Sequence, residues 1–374
     1  MKKLKVIISS VAMLFAAGSA NAQSLTVTQE SFGTLENGTP ISLYKLQNKN
    51  GIQANITNYG GILVNLMTPD KDDKLGDIVL GYDDLEGFVN DTSFQAPLIG
   101  RFGNRIAKGR FELNGKQYQV ATNNKTNHLH GGVKGFGKQV WHAKPFSTPE
   151  SVGVALSRLS HDGEEGYPGN LNVSAVYELY NDNRLTLTFS ATTDASTPVN
   201  LTQHAYYNLN STGSILDHEL TIPASQFTAV DSTSIPLGAH QKVKNTPFDF
   251  TKAKKIGQDI NQKNQQLGYG KGYDHNWVLD KPYGKMGLAV RVESKSSGRV
   301  MEIYSDQPGL QFYSGNFLDG STEGKDGRKY QHRTAIVLEP QHFPDSPNQP
   351  TYPSTILEPG ETYKNVIEYR FSVR

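Results

Sequence analysis

Six short segments of this chain set turn residues beside groups able to move protons or hold hydroxyls. In "VLEPQHFPDSPNQP", Glu339 follows the β-branched, apolar run "TAIVL" and precedes four prolines. A carboxylate carried from such a strand into a stiff loop is rigidly mounted and partly desolvated, which suits a base working near neutral pH. "NLTQHAYYNL" places His204 in an extended stretch with Tyr206 and Tyr207 beyond it. Aromatic neighbours shield an imidazole from water and shift its pKa, as an acid or base requires. A histidine merely satisfied within the core fits that segment equally well.

The other segments offer binding groups. "GRFGNRIAKGRF" sets Arg101, Asn104 and Arg105 among glycines, and the Asn-Arg pair supplies amide and guanidinium donors for sugar-type oxygens. Its plainer reading is a pair of surface arginines. "NHLHGG" holds His128 and His130 two residues apart, on one face if the stretch is a strand, where two imidazoles could share a metal. No third ligand follows at a recognisable spacing, and Gly131-Gly132 implies a sharp turn, which favours His130 as a hydrogen-bonding group in a cleft. In "GYGKGYDHNWVL", Asp274 and His275 face opposite ways along a strand, so one enters a site while the other packs elsewhere, Trp277 sharing the face of His275. A tryptophan close to a carboxylate also fits a sugar-binding surface. "GLQFYSGNF" contributes Gln311, with Tyr313 on the same face.

Other chemistries find no footing. The chain has no G-x-S-x-G elbow, P-loop or dinucleotide fingerprint. Zero cysteines exclude disulfides, thiolate nucleophiles and cysteine-type zinc sites. What remains is a set of His, Asp, Glu, Arg and amide groups suited to proton transfer on neutral polar substrates.

The elements that must position these groups are strands. "RLTLTFSATT" alternates Leu185, Leu187, Phe189 and Ala191 against threonines and serine, a period of two. "GRFELNGKQYQV" reads as two strands joined at Asn114-Gly115, a strong hairpin signal. The helical pattern is scarce, its best candidate lying over 252–267 through Ala253, Ile256, Ile260 and Leu267. Short strands along the whole length predict an all-β fold, one large antiparallel β-sandwich with few short helices. No repeat or linker divides residues 23–374, and a split near Ser147-Thr148-Pro149 is the weaker alternative.

The first residues read differently. "MKKLKVIISSVAMLFAAGSANAQ" has a basic start, a short apolar run and small residues ending at Ala22, the pattern of a cleavable export signal over residues 1–22. No cysteine follows for a lipid anchor, so a periplasmic or secreted protein is expected, monomeric or weakly dimeric. Of 37 basic and 36 acidic residues, removing the three signal lysines leaves 34 against 36, a balance of −2. That gives no footprint for nucleic acid or an anionic membrane.

Taken in order, "GRFGNRIAKGRF", "NHLHGG", "EEGYPGNLNV", "LTQHAYYNL", "YDHNW", "LQFYSGNF" and "LEPQHFPDSPNQP" resemble the aldose 1-epimerase (galactose mutarotase) family across residues 25–373. The resemblance implies a large β-sandwich with a sugar in an open cleft, interconverting α and β anomers of free aldohexoses such as glucose and galactose without a cofactor. It implies Glu339 as general base and His204 as general acid. Asn104, Arg105, His130, Asp274 and Gln311 would hold the sugar's hydroxyls and ring oxygen. Phe102-Gly103 and the export signal depart from the family's commoner pattern. Three rivals stay open: a hexose-6-phosphate epimerase, which needs more arginines than Arg101 and Arg105; a non-catalytic carbohydrate-binding protein; and a glycoside hydrolase pairing Asp274 with Glu339.

Overall fold

The computed structural model describes residues 24–374, so the export-signal reading falls outside the described residues. Three antiparallel sheets carry the architecture. A five-stranded meander runs Thr26–Thr34, Pro40–Gln47, Gln53–Thr57, Leu63–Pro69 and Leu75–Asp77. A nine-stranded sheet is centred on Ser151–Ser160, Leu171–Tyr180, Arg184–Thr193, Tyr363–Val373 and Arg299–Ser305. A six-stranded sheet orders its strands Tyr206–Tyr207, Ile336–Gln341, Gly309–Tyr313, Asp274–Val278, Gln226–Val230 and Pro236–Lys242.

One core joins all three. Leu156, Leu187 and Ile303 of the nine-stranded sheet share a buried cluster with Leu46 and Leu66 of the meander and Phe312 and Leu338 of the six-stranded sheet. The period-two reading of 185–191 holds, since Leu185, Leu187, Phe189 and Ala191 are all buried. Asn114 and Gly115 both take positive φ (52° and 75°) between the paired strands Arg110–Leu113 and Lys116–Gln119. That conformation is the hairpin turn which Asn-Gly favours. The Ser147-Thr148-Pro149 stretch is likewise a hairpin turn, between two neighbouring strands of the nine-stranded sheet.

Helices are few, but not where periodicity placed one. The 252–267 stretch forms a short strand at Lys254–Lys255, a 3-10 turn at Ile256–Gln258 and a helix only at Gln265–Gly270. Asn264 starts that helix, its side chain accepting from the amides of Gln266 and Leu267. Ile256 and Ile260 are buried as anchors of irregular chain, so apolar spacing alone misreads them as a helix face. Among the described residues no helix is long and apolar enough to cross a membrane.

Candidate active site

The six-stranded sheet explains how three of the candidate side chains meet. Gln311 lies directly opposite Glu339 in one strand pair and opposite Asn276 in the next, while Asp274 faces Tyr313. Directly opposed residues share a face, so Asp274, Gln311, Tyr313 and Glu339 project together from neighbouring strands. The alternate residues go the other way. His275 and Trp277 pack against Phe248 and Phe312 against Phe250, with Trp277 Nε1 donating to the Phe248 carbonyl at 3.0 Å. Trp277 is therefore core, not a sugar platform, and its burial holds the strand so that Asp274 points outward. Loss of so large a buried ring costs about 3–5 kcal/mol.

His204 and His130 enter from loops. The His204 amide donates to the Pro97 carbonyl (3.1 Å) and its own carbonyl accepts from Ala96 (3.1 Å), which ties it beside the 91–97 segment. His130 follows the two-residue strand His128–Leu129, paired with Arg105–Ile106. It takes φ 49°, and Gly131 and Gly132 continue the turn at 83° and 109°. A Cβ on Gly131 would stand 1.8 Å from the Gly100 carbonyl oxygen, so only glycine fits there.

The seven residues singled out by sequence (Asn104, Arg105, His130, His204, Asp274, Gln311 and Glu339) all line one pocket of about 540 Å³. Two expectations fail. Arg101 is not a surface group or a cleft donor but a buried pin, giving hydrogen bonds to the carbonyls of Pro168 (2.8 Å), Gly169 (2.9 Å) and Ser160 (3.0 Å). Nor do His128 and His130 share a face, because the chain turns left-handed at His130. His128 is buried, donating through Nδ1 to Ala121 O at 2.7 Å and accepting the Tyr167 hydroxyl at Nε2 at 2.6 Å, so neither nitrogen is free for a metal.

Hydrogen bonding assigns the ring protons of the two pocket histidines. His204 Nδ1 lies 3.0 Å from the Phe94 carbonyl oxygen, so Nδ1 carries the proton and Nε2 is left to the pocket. At His130 the Asn104 amide donates to Nδ1 at 3.2 Å, so the neutral ring presents an Nε2–H donor. Asn104 itself takes φ 61°, and its side-chain oxygen accepts from the Arg105 amide at 2.9 Å.

Burial governs the charges. Glu339 is 2 % exposed, and among the described residues its Oε1 has no hydrogen-bond partner. Desolvation, with Asp274 adding to it, pushes its carboxyl well above the usual range, against the pull of Arg105. Asp274 is raised by burial too, and opposed by Arg105 and by a 2.7 Å hydrogen bond from Gln311 Nε2. Desolvation drives His204 down to about 4, with its own backbone, the Phe94 carbonyl and Asp91 working the other way. His130 falls well below the usual histidine range, through burial first and then His204, Arg105 and His128.

A metal would find its donors in His130, His204 and Glu339, whose ligand atoms lie within 4.8 Å of one another. The Asn104 amide, however, already occupies His130 Nδ1, which puts the ring proton on the nitrogen that would have to ligate. That arrangement suits hydrogen bonding to an oxygen-rich ligand better than coordination.

Sequence reasoning missed Phe94. Its ring sits 4.9 Å from His130 and 5.9 Å from His204, and both Phe94 and Ala96 hold φ near 61°. Non-glycine residues in that region cost roughly 1–3 kcal/mol each and cluster at functional sites. Nothing in "NDTSFQAP" signals such a backbone. Lys125 and Lys271 were missed as well; both line the pocket and are exposed.

Comparison with known proteins bears on the family and the fold. The aldose 1-epimerase family model matches residues 42–370. A galactose mutarotase of Bos taurus is 42% identical over 352 residues, covering 93% of this chain and 99% of its own. An aldose 1-epimerase of Escherichia coli K12 is 35% identical over 337 residues, covering 89% and 96%. Among solved structures, a galactose 1-epimerase from Lactobacillus acidophilus superimposes with a TM-score of 0.83 at 26% identity, covering 94% of this chain and 99% of that one. An aldose epimerase homologue from C. elegans gives 0.81 at 32%, covering 88% and 98%. With its sheet-borne carboxylates and loop-borne histidines on this fold, the chain belongs to the aldose 1-epimerase family of isomerases.

Proposed function

We propose that the protein interconverts the α and β anomers of free aldohexoses, glucose and galactose among them, with Glu339 as base and His204 as acid. The observation that carries this reading is the meeting of a buried carboxyl, its Oε1 unpartnered among the described residues, with two buried imidazoles, their ligand atoms within 4.8 Å, in one corner of a polar pocket. Both reacting oxygens of a hemiacetal sit on one carbon, so acid and base must reach neighbouring atoms.

In the forward step Glu339 takes the proton of the anomeric hydroxyl as the C1 carbonyl forms and the bond from C1 to the ring oxygen breaks. The ring oxygen takes a proton from Nε2 of His204, which enters this step as the imidazolium and leaves it as the neutral Nδ1–H tautomer. After rotation about C1–C2 the hydroxyl attacks the other carbonyl face, returns its proton to Nε2, and the carbonyl oxygen recovers the proton on Glu339. The neutral tautomer set by the Phe94 carbonyl leaves Nε2 as the atom that exchanges this proton. His130 Nε2–H, Arg105, Asn104, and the Asp274–Gln311 pair supply donors and acceptors for hydroxyls. No cofactor is needed for these steps.

Lys125 and Lys271 at the exposed edge of the pocket favour one second reading, a sugar bearing a phosphate. Polarimetry decides both: freshly dissolved α-glucose and α-galactose should reach anomeric equilibrium faster with protein present, and glucose 6-phosphate should respond less. Unchanged rates at several protein concentrations would remove the epimerase reading. A purely binding protein would have no use for a desolvated, unpartnered Glu339, and a glycoside hydrolase would need a second carboxylate free to act, whereas Asp274 is held by Gln311. The basic, apolar and small-residue order of the first 22 residues supports export, where the activity would supply the anomer that a transporter or dehydrogenase accepts.

A further inference from the structure

We propose that Asp91 is a positioning residue for His204, acting through the single peptide group between Phe94 and Gln95. The inference rests on the reading of His204 as the proton-exchanging imidazole. Asp91 lies outside every segment that the sequence marked, and it does not line the large sugar pocket. Its carboxylate is nonetheless fully engaged. Oδ1 accepts the Tyr82 hydroxyl (2.9 Å), the Ser93 amide (3.0 Å) and the Ser93 hydroxyl (2.6 Å). Oδ2 accepts the Gln95 amide at 2.8 Å.

That last contact reaches the active site. In a trans peptide the N–H and the C=O point in opposite directions. The Gln95 N–H points at Asp91, so the Phe94 carbonyl of the same peptide points away from it, and it accepts His204 Nδ1–H at 3.0 Å. The result is a continuous chain: carboxylate, peptide, imidazole, and then Nε2 facing the sugar. Each hydrogen bond polarises the next, so the anionic end strengthens the Phe94 oxygen as an acceptor. The same turn directs the Ser93 carbonyl to the Tyr206 hydroxyl at 2.9 Å, fixing the ring beside His204.

The turn needs this restraint. Phe94 and Ala96 both hold positive φ without being glycine, and Asp91 clasps the amides on either side of Phe94. Lys138 fastens the other side, its Nζ donating to the carbonyls of Asp91 (2.6 Å), Val89 (2.9 Å) and Phe88 (3.1 Å). With the carboxylate gone, the Phe94–Gln95 peptide is free to rotate, and the carbonyl that fixes the His204 tautomer rotates with it.

The test compares the wild type with Asp91→Asn and Asp91→Ala by two measurements. Mutarotation kinetics should show kcat falling about tenfold to a hundredfold while KM stays within about twofold, as expected when a reacting group is misplaced but the sugar contacts remain. The ¹⁵N shifts of His204 should report a single Nδ1–H tautomer in the wild type and a mixture in the variants. Unchanged kcat, or an unchanged tautomer, in folded variants would overturn the relay. Should Asp91→Ala not fold, Asp91→Asn carries both measurements, since it keeps the side chain's shape and loses only the charge and one acceptor. A wild type without activity would instead remove the functional reading beneath it, and is distinguished by the wild-type polarimetry alone.

Discussion

At the residue scale the site works with one proton too few to charge His204 without discharging Glu339. Burial raises the Glu339 carboxyl and lowers the His204 imidazole to about 4, which draws the pair's shared proton toward Glu339. Moving that proton across gives the carboxylate and imidazolium that ring opening uses, with no change in total protonation. The active pair therefore holds one proton, and its pH limits belong to the pair as a whole. Below about 4 His204 gains a second proton and the base is blocked. Above the raised Glu339 value the shared proton is lost and no acid remains. The prediction is a bell in kcat/KM whose acid limb falls near pH 4 and whose alkaline limb lies well above the ordinary carboxylate range. A rate that keeps rising between pH 5 and 7, or one already falling there, would contradict it.

At the scale of elements, strands carry the carboxylates and turns carry the imidazoles, and legibility divides along that line. Alternation in "YDHNWVL" and "LQFY" correctly separates Asp274 and Gln311 from His275 and Phe312, because a strand's period of two is a local property. The same rule alone would put His128 and His130 on one face; the left-handed turn at His130 (φ 49°), which Gly131-Gly132 signals, ends the alternation and leaves His130 in the pocket without His128. The fate of Arg101 was equally hidden, since its partners Ser160, Pro168 and Gly169 lie about 60 residues on and meet it only in the folded chain. Gly131 was visible as a turn, but not as the point where the chain passes against Gly100. Gly131→Ala should therefore displace His130, cutting kcat/KM at least tenfold and lowering the melting temperature, since a Cβ 1.8 Å from the Gly100 oxygen cannot be accommodated without backbone movement. Wild-type kinetics in that variant would show that the turn does not position the ring.

At the scale of the whole molecule, the sandwich buries several histidines that take no part in the proposed chemistry. Desolvation lowers His128, His218 and His342 from 6.5 to about 4, and His275 to about 3. Unfolded, each titrates near 6.5, so the unfolded chain binds more protons between pH 6.5 and 4 and stability falls as pH drops through that window. A shift from 6.5 to about 4 corresponds to about 3 kcal/mol per histidine once the window is crossed. Glu339 and Asp274, with raised values, act in the opposite direction above their unfolded pKa and offset part of that loss on acidification. The urea midpoint should therefore drop clearly between pH 7 and pH 5; a midpoint that stays level would show these imidazoles to be solvated.

The claim on which the rest depends is that Glu339 removes the anomeric proton. Glu339→Gln keeps the side chain's shape and its capacity to hydrogen-bond but abolishes the base. In polarimetry on freshly dissolved α-galactose, with sugar binding followed in parallel by calorimetry, the account predicts binding close to wild type and a rate reduced about a hundredfold or more. Retained turnover in Glu339→Gln would contradict it, and would place the base elsewhere in the pocket.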